Sequence, residues 1–426
     1  MTCTTKFGPY RIEVHVIQND LAYTISPGDE GGAFSNGLRL EGRIDSGDVD
    51  RWYFDAQAGD RFDISLSDDG EMGPHAYLLN PDGSVYDNDT NHDAVRLAGQ
   101  LSQTGRYTFL LADGDNTASG PYETGNYTLE YHLIRDDLAY ATSLGDEGGI
   151  LTNGNRHSGR IDSGDVDRWY FDAPAEGTAI VSLSDDGSMD PDMYILNPDG
   201  SVLDSGARSA AVRLASQLAQ AGRYTVVIAD RDGIFGPRET GNYVLEFLHV
   251  GQEFEVTDGD EGGRLFNGAG VVGTISAGDF DAFQFEGSDG GYLRFVIIEP
   301  RGSDPLDPQF WLFTPDGNIW DEDKHHEFLI REAIAPQDGL YTLVIMDTDY
   351  SSVGPYETGS YAVEVWKYPL DLDVPEDGVV NEGVPQVMPI FAADPFDPDR
   401  QVTFKLVNSV EGASLQTTGA SSANIV

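Results

Sequence analysis

A tyrosine-led segment recurs along this chain at a spacing that sets the size of its folding unit. Tyr10 to Leu21 reads YRIEVHVIQNDL and Tyr127 to Leu138 reads YTLEYHLIRDDL; shorter versions start at Tyr243 (YVLEFLHV) and Tyr361 (YAVEVWKY), so the four lie 117, 116 and 118 residues apart. Solenoid and propeller repeats run at about 20 to 50 residues. A longer period makes each unit a domain with its own core. The chain reads as a tandem array: residues 1–17 as the terminal strand of a preceding copy, 18–134, 135–250 and 251–368 as three repeats, and 369–426 as a different, partial unit after the linker-like LDLDVPEDG. A start on the last strand of a copy is expected of a piece of a longer protein.

Within a copy, apolar residues alternate with polar ones, the signature of half-buried strands. Phe62, Ile64 and Leu66 face one way and Arg61, Asp63 and Ser65 the other; Tyr127, Leu129 and Tyr131 face inward, and Thr128, Glu130 and His132 outward. Turn formers such as NPDG (Asn80 to Gly83) and QTG (Gln103 to Gly105) separate them. With 50 Gly, 21 Pro, 20 Tyr and 20 Phe, the chain is all-β. Each copy is expected to be a jelly-roll-like sandwich of about eight strands.

If every link reverses direction, the neutral turns gather at one pole of the sandwich and the acidic loops at the other. The acidic ones are GDVD (Gly47 to Asp50), SDDGEM (Ser67 to Met72), DNDTNHD (Asp87 to Asp93) and DGDNTASGPYETG (Asp113 to Gly125). The lead-in GDEGG (Gly28 to Gly32) is not placed by this count. Carboxylates massed at one pole repel unless a cation sits among them, and calcium takes six to eight oxygen ligands in flexible geometry. Asp113 and Asp115, approached by Glu123, form a second candidate cluster. The competing reading of GDVD is a turn whose aspartates bond their own backbone.

Composition narrows the function. The chain has 25 basic and 73 acidic residues, a net charge of −48, which repels nucleic acid and anionic membranes and attracts divalent cations. No apolar run is long enough for a membrane-spanning helix. The single cysteine, Cys3, excludes an internal disulfide framework and a cysteine zinc site. No signal peptide is visible. An exported, calcium-stiffened protein and a halophile protein whose carboxylates only hold water both fit this composition.

The run GRIDSGDVDRWYFDA at Gly42 to Ala56, repeated at Gly159 to Ala173, together with NPDG at Asn80 and Asn197, TPDG at Thr314, and TGRYT, AGRYT and DGLYT beginning at Thr104, Ala221 and Asp338, resembles the bacterial pre-peptidase C-terminal domain. The resemblance covers about residues 10 to 368. It implies sandwich modules appended to secreted peptidases and other exported proteins, some of which bind calcium. Carried over by that resemblance, the ligands are Asp29, Glu30, Asp48 and Asp50; Asp146, Glu147, Asp165 and Asp167; and Asp260, Glu261, Asp279 and Asp281. The family's usual lead-in is a Glu-Pro-Asn type segment, which GDEGG replaces here. AADPFDPDRQVTFKL (Ala392 to Leu406) resembles the calcium motif of bacterial cadherin-like repeats.

Other motifs have plain explanations. DNDTNHD lacks the glycine and glutamate of an EF-hand. The DSG triplets at Asp45 and Asp162 lie in separate copies and read as hairpin turns rather than as a protease dyad. His15, His132 and His249 are expected on the surface, as are His325 and His326. No GxSxG, HExxH, Walker or dinucleotide motif occurs. The sequence therefore points to a non-catalytic, extracellular or cell-surface array, stabilised by calcium and serving to space, attach or anchor. The alternative is an accessory, substrate-binding region of a secreted peptidase or other hydrolase, whose partner would be an extracellular protein or glycan.

Overall fold

The structure, a computed structural model, describes residues 25, 29–70, 72–90, 94–114, 123–135, 142, 146–207, 210–231, 239–257, 260–298, 306–324, 328–348 and 357–368, with three further strands between 388 and 425. No helix occurs among them. Copy 1 holds nine strands: β1 (Gly31–Ala33), β2 (Arg39–Ile44), β3 (Val49–Ala56), β4 (Arg61–Asp68), β5 (Pro74–Leu79), β6 (Val85–Thr90), β7 (Ala94–Gln100), β8 (Gly105–Asp113) and β9 (Gly125–Ile134). They form a five-stranded sheet, β1-β3-β8-β5-β6, and a four-stranded sheet, β2-β9-β4-β7. The same two sheets recur in copy 2 from β10 (Gly148–Ile150) to β18 (Gly241–Val250) and in copy 3 from β19 (Gly262–Arg264) to β27 (Gly359–Tyr368).

The alternating apolar residues meet between the sheets. Phe62, Ile64, Leu66, Phe109 and Leu129 are buried in one cluster, with homologous clusters in the other copies. An aromatic pair repeats: Phe54 stacks on Tyr107 at 5.5 Å, Phe171 on Tyr224 at 5.3 Å and Phe285 on Tyr341 at 5.7 Å. Each of those tyrosines also donates to the carbonyl four residues back, Gln103, Gln220 or Gln337, which pins the turn before the strand.

Strand directions sort the turns as alternation requires. Apart from β1 with β3, the pairs within copy 1 are antiparallel, so successive links fall at alternate poles. The three-residue β1 pairs parallel with β3, Gly31 opposite Arg51 and Ala33 opposite Tyr53. Asp29 and Glu30 therefore stand at the start of β3, beside GDVD. The parallel pairing recurs in the other copies.

DNDTNHD corrects an expectation. Val85–Thr90 is strand β6, with Asp87 opposite Leu78 and Asp89 opposite Ala76; residues 91–93 lie outside the described residues. Alternating carboxylates on a sheet's last strand discourage another chain from pairing there.

Successive copies pack sheet face on sheet face. Ile134 of copy 1 is buried with Val166, Leu196, Val227 and Ala229 of copy 2; Ile180, Leu248 and Val250 of copy 2 are buried with Phe280, Phe313, Val344 and Met346 of copy 3. The outer faces of the four-stranded sheets of copies 1 and 2 are thus covered by the five-stranded sheet of the copy that follows. Arg96 holds Asp63 in its own copy at 2.7 Å and Asp192 in the next at 3.3 Å. Arg213 donates to the carbonyls of Asp279 and Asp347 across the second joint. His132 and His249, expected on the surface, are buried, as are Glu130, Asp63 and Ser65. Glu130, His132, Asp63 and Ser65 keep the outward parity, and the neighbouring copy removes the water; His249 instead stands opposite Ala179 on the inward parity and is closed in by its own copy, beside Asn153 and Glu176. His15, His325 and His326 lie outside the described residues.

Candidate metal centre

The Gly-Asp-x-Asp turn is built the same way three times. The amides of Asp48, Asp165 and Asp279 donate to the carbonyls of Asp45, Asp162 and Ser276, and the intervening Gly47, Gly164 and Gly278 have φ of 77°, 69° and 71°, a region costly for other residues. The first aspartate of each turn bonds back onto that backbone. In copy 2, the Asp162 amide donates to Asp165 Oδ2 at 3.1 Å and the Val166 amide to Oδ1 at 2.9 Å. The plain turn reading thus describes part of what this side chain does.

The second aspartate is different. Asp50, Asp167 and Asp281 are each 0% exposed. On one side Tyr127 donates to Asp50 Oδ2 at 2.6 Å, and Tyr243 and Tyr361 to Asp167 and Asp281 at 2.5 Å. The other oxygen, Oδ1, has no hydrogen-bond partner in any copy. A buried carboxylate oxygen left without a donor or cation is costly. The carboxylate sits among others: Asp29 and Asp48 with Asp50, Asp146 and Glu147 with Asp167, and Asp260 and Glu261 with Asp281, each trio having ligand atoms within 4.8 Å of one another.

Two further trios cross the joints. Glu130 of copy 1 joins Asp146 and Asp165 of copy 2, and Glu246 of copy 2 joins Asp260 and Asp279 of copy 3. Each also receives a guanidinium from the preceding copy. Arg39 lies 2.6 Å from Asp165 and 3.8 Å from both Asp146 and Glu130; Arg156 lies 2.8 Å from Asp260, 3.8 Å from Glu246 and against Asp279.

No protein-family model and no curated protein matches the chain. Among solved structures it is similar to the pre-peptidase C-terminal domain of a collagenase from Bacillus anthracis (17% identity over 25% of this chain and 95% of that one, TM-score 0.19). It is also similar to a periplasmic inhibitor of g-type lysozyme from Aeromonas hydrophila (14% identity, 25% and 99% covered, TM-score 0.20). A third is a tandem of CBM51 modules of a family 98 glycoside hydrolase from Streptococcus pneumoniae (11% identity, 49% and 83% covered, TM-score 0.17). The acid sites rest on this chain's own geometry.

Burial dominates their electrostatics. It pushes the Asp50 carboxyl up to about 8, against the Tyr127 hydrogen bond and with the help of Asp48, Glu30 and Asp29. Burial and the neighbouring Asp279 take Asp281 to about 9, and Asp167 is raised well above the carboxylate range for the same reasons. Burial, with Glu130 and Asp165 close by, takes Asp146 to about 8. Glu130 and Glu246 are also driven well up, first by burial and then by the aspartates they face. Such groups at neutral pH hold a proton or a cation.

The second candidate cluster is organised differently. Asp113 accepts the backbone amide of Glu123 at 3.0 Å, as Asp230 and Asp347 accept those of Glu239 and Glu357. Glu123 thus reaches Asp113 through its main chain. Asp115 lies outside the described residues, as does the Ala392 to Leu406 motif.

The sequence reading missed Glu130, Glu246, Arg39, Arg156 and the three tyrosines. The signal was present: Tyr127 with Glu130 and Tyr243 with Glu246 are the Tyr-x-x-Glu of the founding repeat. The tyrosine serves its own copy's site, and in copies 1 and 2 the glutamate serves that of the copy after.

Proposed function

We propose that this chain is a non-catalytic array of sandwich modules whose acid sites bind calcium, and that it works outside the cell as a stiff spacer or anchoring region. The observation that carries the reading is the orphaned Oδ1 of Asp50, Asp167 and Asp281, buried in all three copies on carboxylates that cluster with others. An all-oxygen, carboxylate-rich donor set suits calcium and excludes the soft metals that thiolates select. Asp29, Glu30, Asp48 and Asp50 would hold the ion in copy 1, Asp146, Glu147, Asp165 and Asp167 in copy 2, and Asp260, Glu261, Asp279 and Asp281 in copy 3. When bound, the ion supplies positive charge where the fold has concentrated negative charge. Because it binds only the folded copies, it stabilises them by mass action.

The test is calorimetric unfolding of the full chain in chelator, in millimolar calcium and in magnesium at matched ionic strength. A calcium-specific rise in Tm that shrinks in Asp50→Asn, Asp167→Asn and Asp281→Asn variants is expected. Equal stabilisation by the two ions would mean charge screening and would end the calcium reading.

A further inference from the structure

Each joint places two residues of one copy inside the acid site of the next, and the arrangement is repeated. Arg39 on β2 and Glu130 on β9 are register partners; so are Arg156 on β11 (Asn155–Ile161) and Glu246 on β18. Glu130 Oε2 accepts the amide of Val166, the residue after Asp165, at 3.4 Å, and Glu246 Oε2 accepts that of Phe280, the residue after Asp279, at 3.3 Å. Arginine and glutamate thus enter as a pair, gripping the Gly-Asp-x-Asp turn of the following copy. At the first joint they meet Asp146 and Asp165, and Asp146 in turn sits with Glu147 and Asp167, so that Arg39 enters a run of five carboxylates. The orphaned oxygen of Asp167 marks where positive charge is missing.

We propose that the ion sites of copies 2 and 3 are shared across the joints: the arginine of the preceding copy is a tethered cation filling the outer part of the site, its glutamate supplies part of the negative charge that holds calcium in the inner part, and the ion therefore locks one copy to the next. This rests on the calcium reading and adds that affinity in one copy is set by residues of the copy before. The two residues act with opposite sign. Removing the Glu130 charge weakens calcium binding in copy 2, and removing the Arg39 charge strengthens it, because the guanidinium competes for the same carboxylates. Copy 3 carries Gly270 opposite Glu364, so the arginine half of the device is missing from its outer face.

The experiment isolates one site in the full chain. In an Asp50→Asn, Asp281→Asn background, calcium binding to copy 2 is measured by isothermal titration, alone and with Glu130→Gln or Arg39→Gln, each variant's fold being checked by far-ultraviolet circular dichroism. Glu130→Gln is expected to weaken binding, and Arg39→Gln to tighten it, each on the order of five-fold. Unchanged affinity in the two variants, or loss in both, overturns the shared site while leaving the calcium reading intact. If the unmodified chain binds no calcium, both fall.

Discussion

A Cβ at Gly42 would stand 2.3 Å from the ring of Tyr127, and the same holds for Gly159 with Tyr243 at 2.2 Å and Gly273 with Tyr361 at 2.5 Å. The glycine lets the tyrosine cross the neighbouring strand and bring its hydroxyl to the buried aspartate. Gly159→Ala is therefore expected to destabilise copy 2 by about 1–3 kcal/mol through overpacking. Urea unfolding would show it as a fall in midpoint. A change within error would mean that the ring is free to move aside.

Tyr243→Phe keeps the ring and deletes the donor to Asp167. In chelator the loss should be about 1–3 kcal/mol, the cost of a buried acceptor left without its partner. The comparison is with Tyr53→Phe, whose ring lies beneath Arg106 at 4.2 Å, outside the acid site. A smaller loss at Tyr243 than at Tyr53 would argue against a special role for the hydroxyl.

The raised carboxyls set a pH dependence. Asp50 and Asp146 near 8 and Asp281 near 9 bind protons more tightly folded than unfolded. Their contribution to stability is full below about pH 4 and is lost as pH rises through 8 to 9. Buried His132, lowered to about 4 by burial and then by Arg168, works the other way, costing stability as pH falls from about 6.5 toward 4. With the carboxyls in the majority, Tm in chelator should fall between pH 6 and 9, and calcium should flatten that slope. A Tm in chelator that rises over this range would contradict the assignment.

Arg96 is nearly buried between Asp63 of its own copy and Asp192 of the next. Arg96→Met leaves two buried carboxylates unpaired and should cost about 3–5 kcal/mol, loosening the first joint. Arg106→Met, which breaks a pair with the exposed Asp55, should cost about 0–1 kcal/mol. Calorimetry of the full chain would separate them; equal effects would mean that the joint contributes little.

Periodicity made the sandwich legible. The two-residue alternation of Phe62, Ile64 and Leu66 and the turn residues at Asn80 and Gln103 act locally, so strands and turns followed from the chain itself. The pole carrying GDVD followed from strand reversal. Where GDEGG goes did not, because a parallel pairing such as β1 with β3 is fixed by contacts distant along the chain.

Sequence by itself determined the repeat length, the all-β class, the strand faces and the acidic turns, since these depend on each residue's neighbours along the backbone. Tertiary structure alone decided what lies outside each face. Glu130 and His132 point outward, as their parity requires, yet they are buried because the next copy covers them. Burial is a property of the surroundings, and here those surroundings come from the next copy, from Asp146 to Val166 and beyond. The same packing converts Arg39, Glu130 and Asp165 from three unremarkable charges into one site.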